Sequence, residues 1–380
     1  MSKQPTTWEE HAELSSAFSP DPEAAAAVRI APDQKWIAVS QLHKAIRRAR
    51  PEIAVAWARA LWEADRSYGL FRMAVIACEE VACADPALAR GYLQSEIKRA
   101  WFDDRGGFGA MAYFVDAFAR SPKDRTSCDL ASTASASRLA DVDLGGRAGR
   151  PDFPALRALA QDEAASAPAR LSALWLLAGT RKVPCAELGA PKEGHHMSYL
   201  GACAAIEPDP DAIACSELSL RLNKEPNGLA LPLCRQAQRA APPTIASGAR
   251  CPTIVRGWGL TAALDAHTRE GRAALEELLV AEPGARELCA RAGSRADKVK
   301  ALGSVFFRLE GREVEPRLQY PLAAQADAWH EQRVARLLGI PAPDAFARAE
   351  ALLPALDELR ARQAPWALGG ARPGAGFPKP

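Results

Sequence analysis

Apolar residues return every three to four positions through most of this chain, a period that selects helices over strands. After Lys35, Trp36, Val39, Leu42, Ala45 and Ile46 fall on one helical face, with Lys44, Arg47 and Arg48 mostly opposite. Pro51 suits the first turn of the next helix, whose stripe is Ile53, Ala56, Trp57, Ala60 and Leu61. A third helix is expected over Gly69–Ala82. Asp85-Pro86 reads as the cap and first residue of a fourth, running through Leu88, Tyr92 and Ile97. Gly106 and Gly107 precede a fifth helix with Met111, Phe114, Val115 and Phe118. Ser121-Pro122-Lys123 closes it, and a sixth covers Thr126 to Ala140.

The fold class expected is therefore all-α. Residues 1–34, interrupted by Pro20 and Pro22, read as a weakly ordered lead-in, and 35–142 as an N-terminal helical bundle. A Gly/Pro-rich linker spans 143–154. A larger helical domain of 155–365 follows, with the spacing of stacked helical hairpins but no clean repeat period. Within it, Val305 to Val314 reads as a small hairpin around Glu310-Gly311. The Gly- and Pro-rich end, 366–380, is expected to be disordered.

A chain of 380 residues can bury a large core without metal or disulfide support. Its 48 Lys+Arg against 46 Asp+Glu give a net charge of +2, which excludes a strongly basic nucleic-acid tail but not a local basic face. No apolar run reaches the roughly 20 residues a bilayer requires. The polar start, Met1 to Thr7, has no signal pattern, so a cytoplasmic chain is expected with no membrane partner. Nine cysteines match no disulfide framework and read as buried free thiols.

The nucleotide-binding loops and the nucleophile elbow of known enzyme classes are missing from the sequence. Cys185, His195, His196, Cys203 and Cys215 are the densest metal-like group, but their gaps are irregular and include no Cys-x-x-Cys pair. Adjacent helical residues such as Glu79 and Glu80 point about 100° apart and do not converge on one atom. The expectation is no enzyme and no cofactor. Lys44, Arg47, Arg48 and Arg50, with Arg59, Arg66 and Arg72, are candidates for a phosphate-contacting face, because forked guanidinium donors match phosphate oxygens. Trp36, Trp57, Trp62 and Trp101 read as core more than as base-stacking platforms.

One stretch is more specific. It comprises Leu42-His43-Lys44-Ala45-Ile46-Arg47-Arg48, the Pro51 to Leu61 helix with Trp57-Ala58-Arg59, the Phe71 to Pro86 segment with Glu79-Glu80-Val81-Ala82-Cys83-Ala84-Asp85-Pro86, and later Pro122-Lys123. In order and spacing it resembles the C-terminal helical region of RarA/MgsA-type replication-associated AAA+ ATPases, over about Lys35 to Ala140. Glu80 and Ala82 stand where that family carries Asp and Gly, and no ATPase domain precedes the stretch here. In the family this region is an oligomerisation collar. The resemblance therefore implies a homo-oligomer or complex subunit near DNA replication and repair. The expected function is a non-enzymatic accessory protein that binds DNA, or a replication or repair protein, through Lys44, Arg47, Arg48 and Arg72. The alternative is a protein-interaction scaffold or assembly subunit, of a mobile element or defence locus, with no nucleic-acid role.

Overall fold

The computed structural model describes residues 5–97, 100–134, 152–179, 196–222, 226–246 and 254–363. The helices, in chain order, begin with α1 (Trp8–Ala17), α2 (Pro22–Ala26), α3 (Lys35–Arg47), α4 (Pro51–Ile76), α5 (Pro86–Ile97) and α6 (Ala100–Asp104). They continue with α7 (Phe108–Arg120), α8 (Thr126–Ala134), α9 (Phe153–Gln161), α10 (Ala167–Ala178), α11 (His196–Ile206) and α12 (Pro210–Leu222). The last are α13 (Leu231–Ala240), α14 (Arg269–Ala281), α15 (Pro283–Leu288), α16 (Arg295–Gly311), α17 (Pro321–Leu338) and α18 (Ala342–Gln363). Among the described residues the strands are short: β1 (Thr244–Ala246) pairs antiparallel with β4 (Arg317–Gln319), and β2 (Val255–Arg256) with β3 (Gly259–Leu260). The fold is all-α.

The chain forms two interleaved compact units. One, here the first unit, holds Met1–Ser19, Ser67–Ser247 and Glu315–Arg333; the second holds Pro20–Arg66, Gly248–Val314 and the chain from Val334 on. The linker expected over 143–154 does not divide them, because helices on both sides of it belong to the first unit; residues 135–151 lie outside the described ones. Two of the passages between the units lie inside helices, at Arg66–Ser67 of α4 and at Arg333–Val334 of α17. In α4 the crossing at Arg66–Ser67 follows Asp65, whose φ of −161° and ψ of 81° break the helical path.

The lead-in reading also fails at its start. Thr7 and Glu10 form a reciprocal capping box that opens α1, and α1 buries His11 and Ser15 against α5 and α7. His11 Nδ1 meets the Tyr113 hydroxyl at 2.8 Å. In the core of the first unit, Tyr92 packs edge-on against Phe114 and Phe118 and donates its hydroxyl to the Leu70 carbonyl at 2.8 Å. α10 is buried from Pro168 through Leu177, as a helix apolar almost all round must be. Gly179, left-handed at φ 69°, ends it.

The second unit is built on α14, α16 and α18, whose shared core includes Leu275, Leu278, Leu302, Val305, Phe306, Leu309, Leu356 and Leu359. The hairpin expected over Val305–Val314 is instead the end of α16. Ser294 and Asp297 cap that helix reciprocally, and Leu302, Val305, Phe306 and Leu309 repeat at helical spacing along its buried side. A run that is apolar at both periods was decided by the upstream cap and the helices packed against it.

Candidate functional site

The basic residues expected to point outward fold inward. Lys44, Arg47 and Arg48 are each at most 4% exposed. In the second unit α3 places Lys44 against Asp265, which precedes α14, and the two form a buried ion pair. Ser40 joins them: its hydroxyl accepts from Lys44 Nζ at 3.1 Å and donates to Asp265 Oδ2 at 3.2 Å. The Lys44 ammonium holds the Asp265 carboxyl below its ordinary range, while burial pushes Lys44 down to about 8. Arg48 Nη2 donates to the Glu310 carbonyl at 3.0 Å, and burial pushes Arg48 down to about 10. Arg360 grips the Glu310 carboxylate with both ends of its guanidinium. Arg47 stands 3.2 Å from His43 Nε2.

A phosphate cannot reach cations so enclosed, so Lys44, Arg47 and Arg48 do not make the expected nucleic-acid face. Arg72 is half-buried, on the part of α4 that belongs to the first unit. The sequence placed all four on early helices but gave no sign of acids 221 and 262 positions downstream of Lys44 and Arg48.

The first unit has its own polar centre on the Ser121–Arg125 connection. Its wall is a π-helical turn, Ala77–Val81, which continues α4 and carries Glu79 and Glu80. Such turns recur at functional sites. Glu80 is fully buried and ion-paired with Arg125, and Glu79 accepts from Asn227 Nδ2 at 3.0 Å. Each carboxylate is held by a partner within the first unit. Asp124 is wholly enclosed: it accepts from Thr126 N at 2.8 Å, and from the Tyr320 hydroxyl and Gln238 Nε2 at 2.7 Å each. Burial outweighs those bonds and raises its carboxyl. Lys123 beside it is fully buried. On α8, Asp129 meets His330 Nδ1 at 2.9 Å.

The suspected metal group fares differently from residue to residue. Cys185 and His195 lie outside the described residues. His196 stands 3.6 Å from Glu217. Cys203 and Cys215 are buried; burial pushes Cys203 up to about 12 and Cys215 well above its ordinary range, and Cys215 donates to the Pro86 carbonyl at 3.3 Å. These two are core thiols rather than ready thiolate ligands.

Of the tryptophans expected in the core, one is instead exposed. Trp57 is core, with its indole donating to the Trp258 carbonyl, and Trp101 packs edge-on against Phe102. Trp36, the second residue of α3, is 56% exposed. Lys35 beside it pairs with Asp65 of α4 at 3.1 Å. One turn before Asp65, Trp62 carries the Arg66 guanidinium 4.4 Å over its ring. No family model, curated protein or solved structure matches this chain.

Proposed function

We propose that this chain is a non-catalytic helical interaction protein that docks a protein partner where α3 meets α4 in the second unit. One observation carries the reading: Trp36 is a large aromatic left 56% exposed on helices that bury most of their other apolar side chains. On α4 the half-buried Trp62 carries the Arg66 guanidinium over its ring. Tryptophan and arginine are the residue types that dominate the binding energy of protein interfaces.

Of the two readings open to the sequence, this is the scaffold. Of the four cations the DNA-binding version named, Lys44, Arg47 and Arg48 lie in the interior and Arg72 is half-buried in the first unit. Replication and repair, and self-association, remain the setting suggested by the resemblance to a collar region.

A photo-crosslinking amino acid placed at Trp36, with Arg348 as an exposed control position, tests the proposal in the producing cell. A discrete protein adduct at position 36, missing from the control, is expected. No discrete adduct at 36, or equal adducts at both positions, overturns it. A nucleic-acid adduct replaces it with the DNA-binding reading.

A further inference from the structure

Lys123 is an enclosed cation with no acid partner. Its side chain is wholly buried, and no carboxylate of the described residues lies within ion-pairing distance of it. Its Nζ donates to two backbone carbonyls at the end of α7, Ala119 at 2.6 Å and Ser121 at 2.7 Å. An ammonium has three N–H donors and a neutral amine has two. The site therefore suits the neutral amine: two donors meet two acceptors, and no third N–H is left to be buried unsatisfied.

The charged groups around Lys123 are engaged elsewhere or stand further off. On the π-helical turn, Glu80 is bound to Arg125. Glu315 approaches from the segment before β4 without pairing to Lys123. On β4, Arg317 is paired with Asp327 at 3.5 Å. On α7, Arg120 is bound to Asp116. Next to Lys123, Asp124 is held by Tyr320, Gln238 and Thr126.

The backbone of the same residue ties several elements together. Lys123 N donates to the Pro316 carbonyl at 2.9 Å, Leu318 N donates to the Lys123 carbonyl at 3.0 Å, and Asp124 N donates to the Glu80 carbonyl at 2.9 Å. Lys123 thus joins the end of α7 to β4, and the next residue, Asp124, ties the same connection to the π-helical turn. We propose that Lys123 is a proton-operated latch of the first unit: the neutral amine closes the Ser121–Arg125 connection over β4, and uptake of one proton from solvent loosens it.

Burial pushes Lys123 down to about 7, against the raising influence of Glu80 and Glu315. An opened Lys123 regains its ordinary value near 10.5. The open form then holds the proton more tightly. Opening becomes more frequent as pH falls from about 10 to about 7, by up to about tenfold per pH unit, and levels off below.

Native-state hydrogen exchange between pH 5.5 and 9 tests this latch. In the native chain the protection factors of the Lys123, Asp124 and Leu318 amides are expected to rise up to about tenfold per pH unit above pH 7 and to stay level below 6. In Lys123→Met they should be level throughout. Flat protection in the native chain, or the same slope in the variant, overturns the proposal. If Lys123→Met does not fold, NMR of the native chain labelled with 13C-lysine decides: titration of the Lys123 Cε near 7 supports the latch, and titration near 10 overturns it.

Discussion

Arg360 clasps Glu310 in two parallel hydrogen bonds, Nη1 to Oε1 at 2.6 Å and Nη2 to Oε2 at 2.9 Å, in the interior of the second unit. The same Nη1 reaches Asp357 at 3.3 Å. Bidentate pairing of this kind is strong because both partners are charged and the two planes match. Removing one partner leaves the other charged and enclosed. Arg360→Ala should therefore cost about 3–5 kcal/mol in urea unfolding, and Arg360→Met with Glu310→Leu should recover most of that loss. A double variant no more stable than the single one would show that the pair adds net stability.

Arg48 should act on folding rather than on polyanion binding. Its guanidinium donates to the Glu310 carbonyl and lies near the Glu313 carboxylate, which is itself buried with both oxygens unpaired. Arg48→Ala should cost about 2–4 kcal/mol in urea unfolding. A gel-shift salt titration with single-stranded, duplex and forked DNA should give the same log–log slope for this variant as for the native chain. A stable variant whose slope drops by one phosphate contact would return Arg48 to the surface.

Ala49 has φ of +51° between α3 and α4. Arg50 N donates back to the Ala45 carbonyl and Ala49 N to that of Ile46, a helix ending that favours glycine in the left-handed position. Ala49→Gly should raise stability by about 0.5–1 kcal/mol through relief of that conformation. Thermal melts of the two chains measure it, and a lower melting temperature for the glycine variant would contradict the assignment.

Lys44 gives a pH dependence whose sign follows from its shift. Its folded value of about 8 lies below the ordinary 10.5, so the unfolded chain binds the proton more tightly. The contribution of Lys44 to stability therefore rises with pH between about 8 and 10.5, with a slope of at most about 1.4 kcal/mol per unit. Asp265, held low by Lys44, acts at the other end: its contribution is present above the ordinary carboxylate range and is lost on acidification. Urea midpoints of the native chain and Lys44→Met, compared from pH 7 to 10, should diverge in favour of the native chain as pH rises. A constant difference would mean that Lys44 keeps its ordinary proton affinity in the fold.

Individual helices were legible because their signals are local. Asp85 caps α5 by accepting from Leu88 N at 3.0 Å, as Asp-Pro spacing implies. The start of α4 at Pro51 and the extents of α17 and α18 follow from proline position and apolar period. The candidate site was not legible. Whether a cation on a helix faces water depends on what packs over it, and a helix with abundant arginine reads alike in either case. The exposure of Trp36 escaped for the same reason: an apolar residue on a stripe is read as core until the neighbouring elements leave it uncovered.

The sequence by itself determined that this chain is helical, because cap residues, prolines and a three-to-four period act within a few positions of one another. Only the tertiary structure decided which helices share a unit and where the charges go. Asp265 and Glu310 reach Lys44 and Arg48 across more than 200 residues, and the enclosure that makes those cations internal arises only when distant segments pack together.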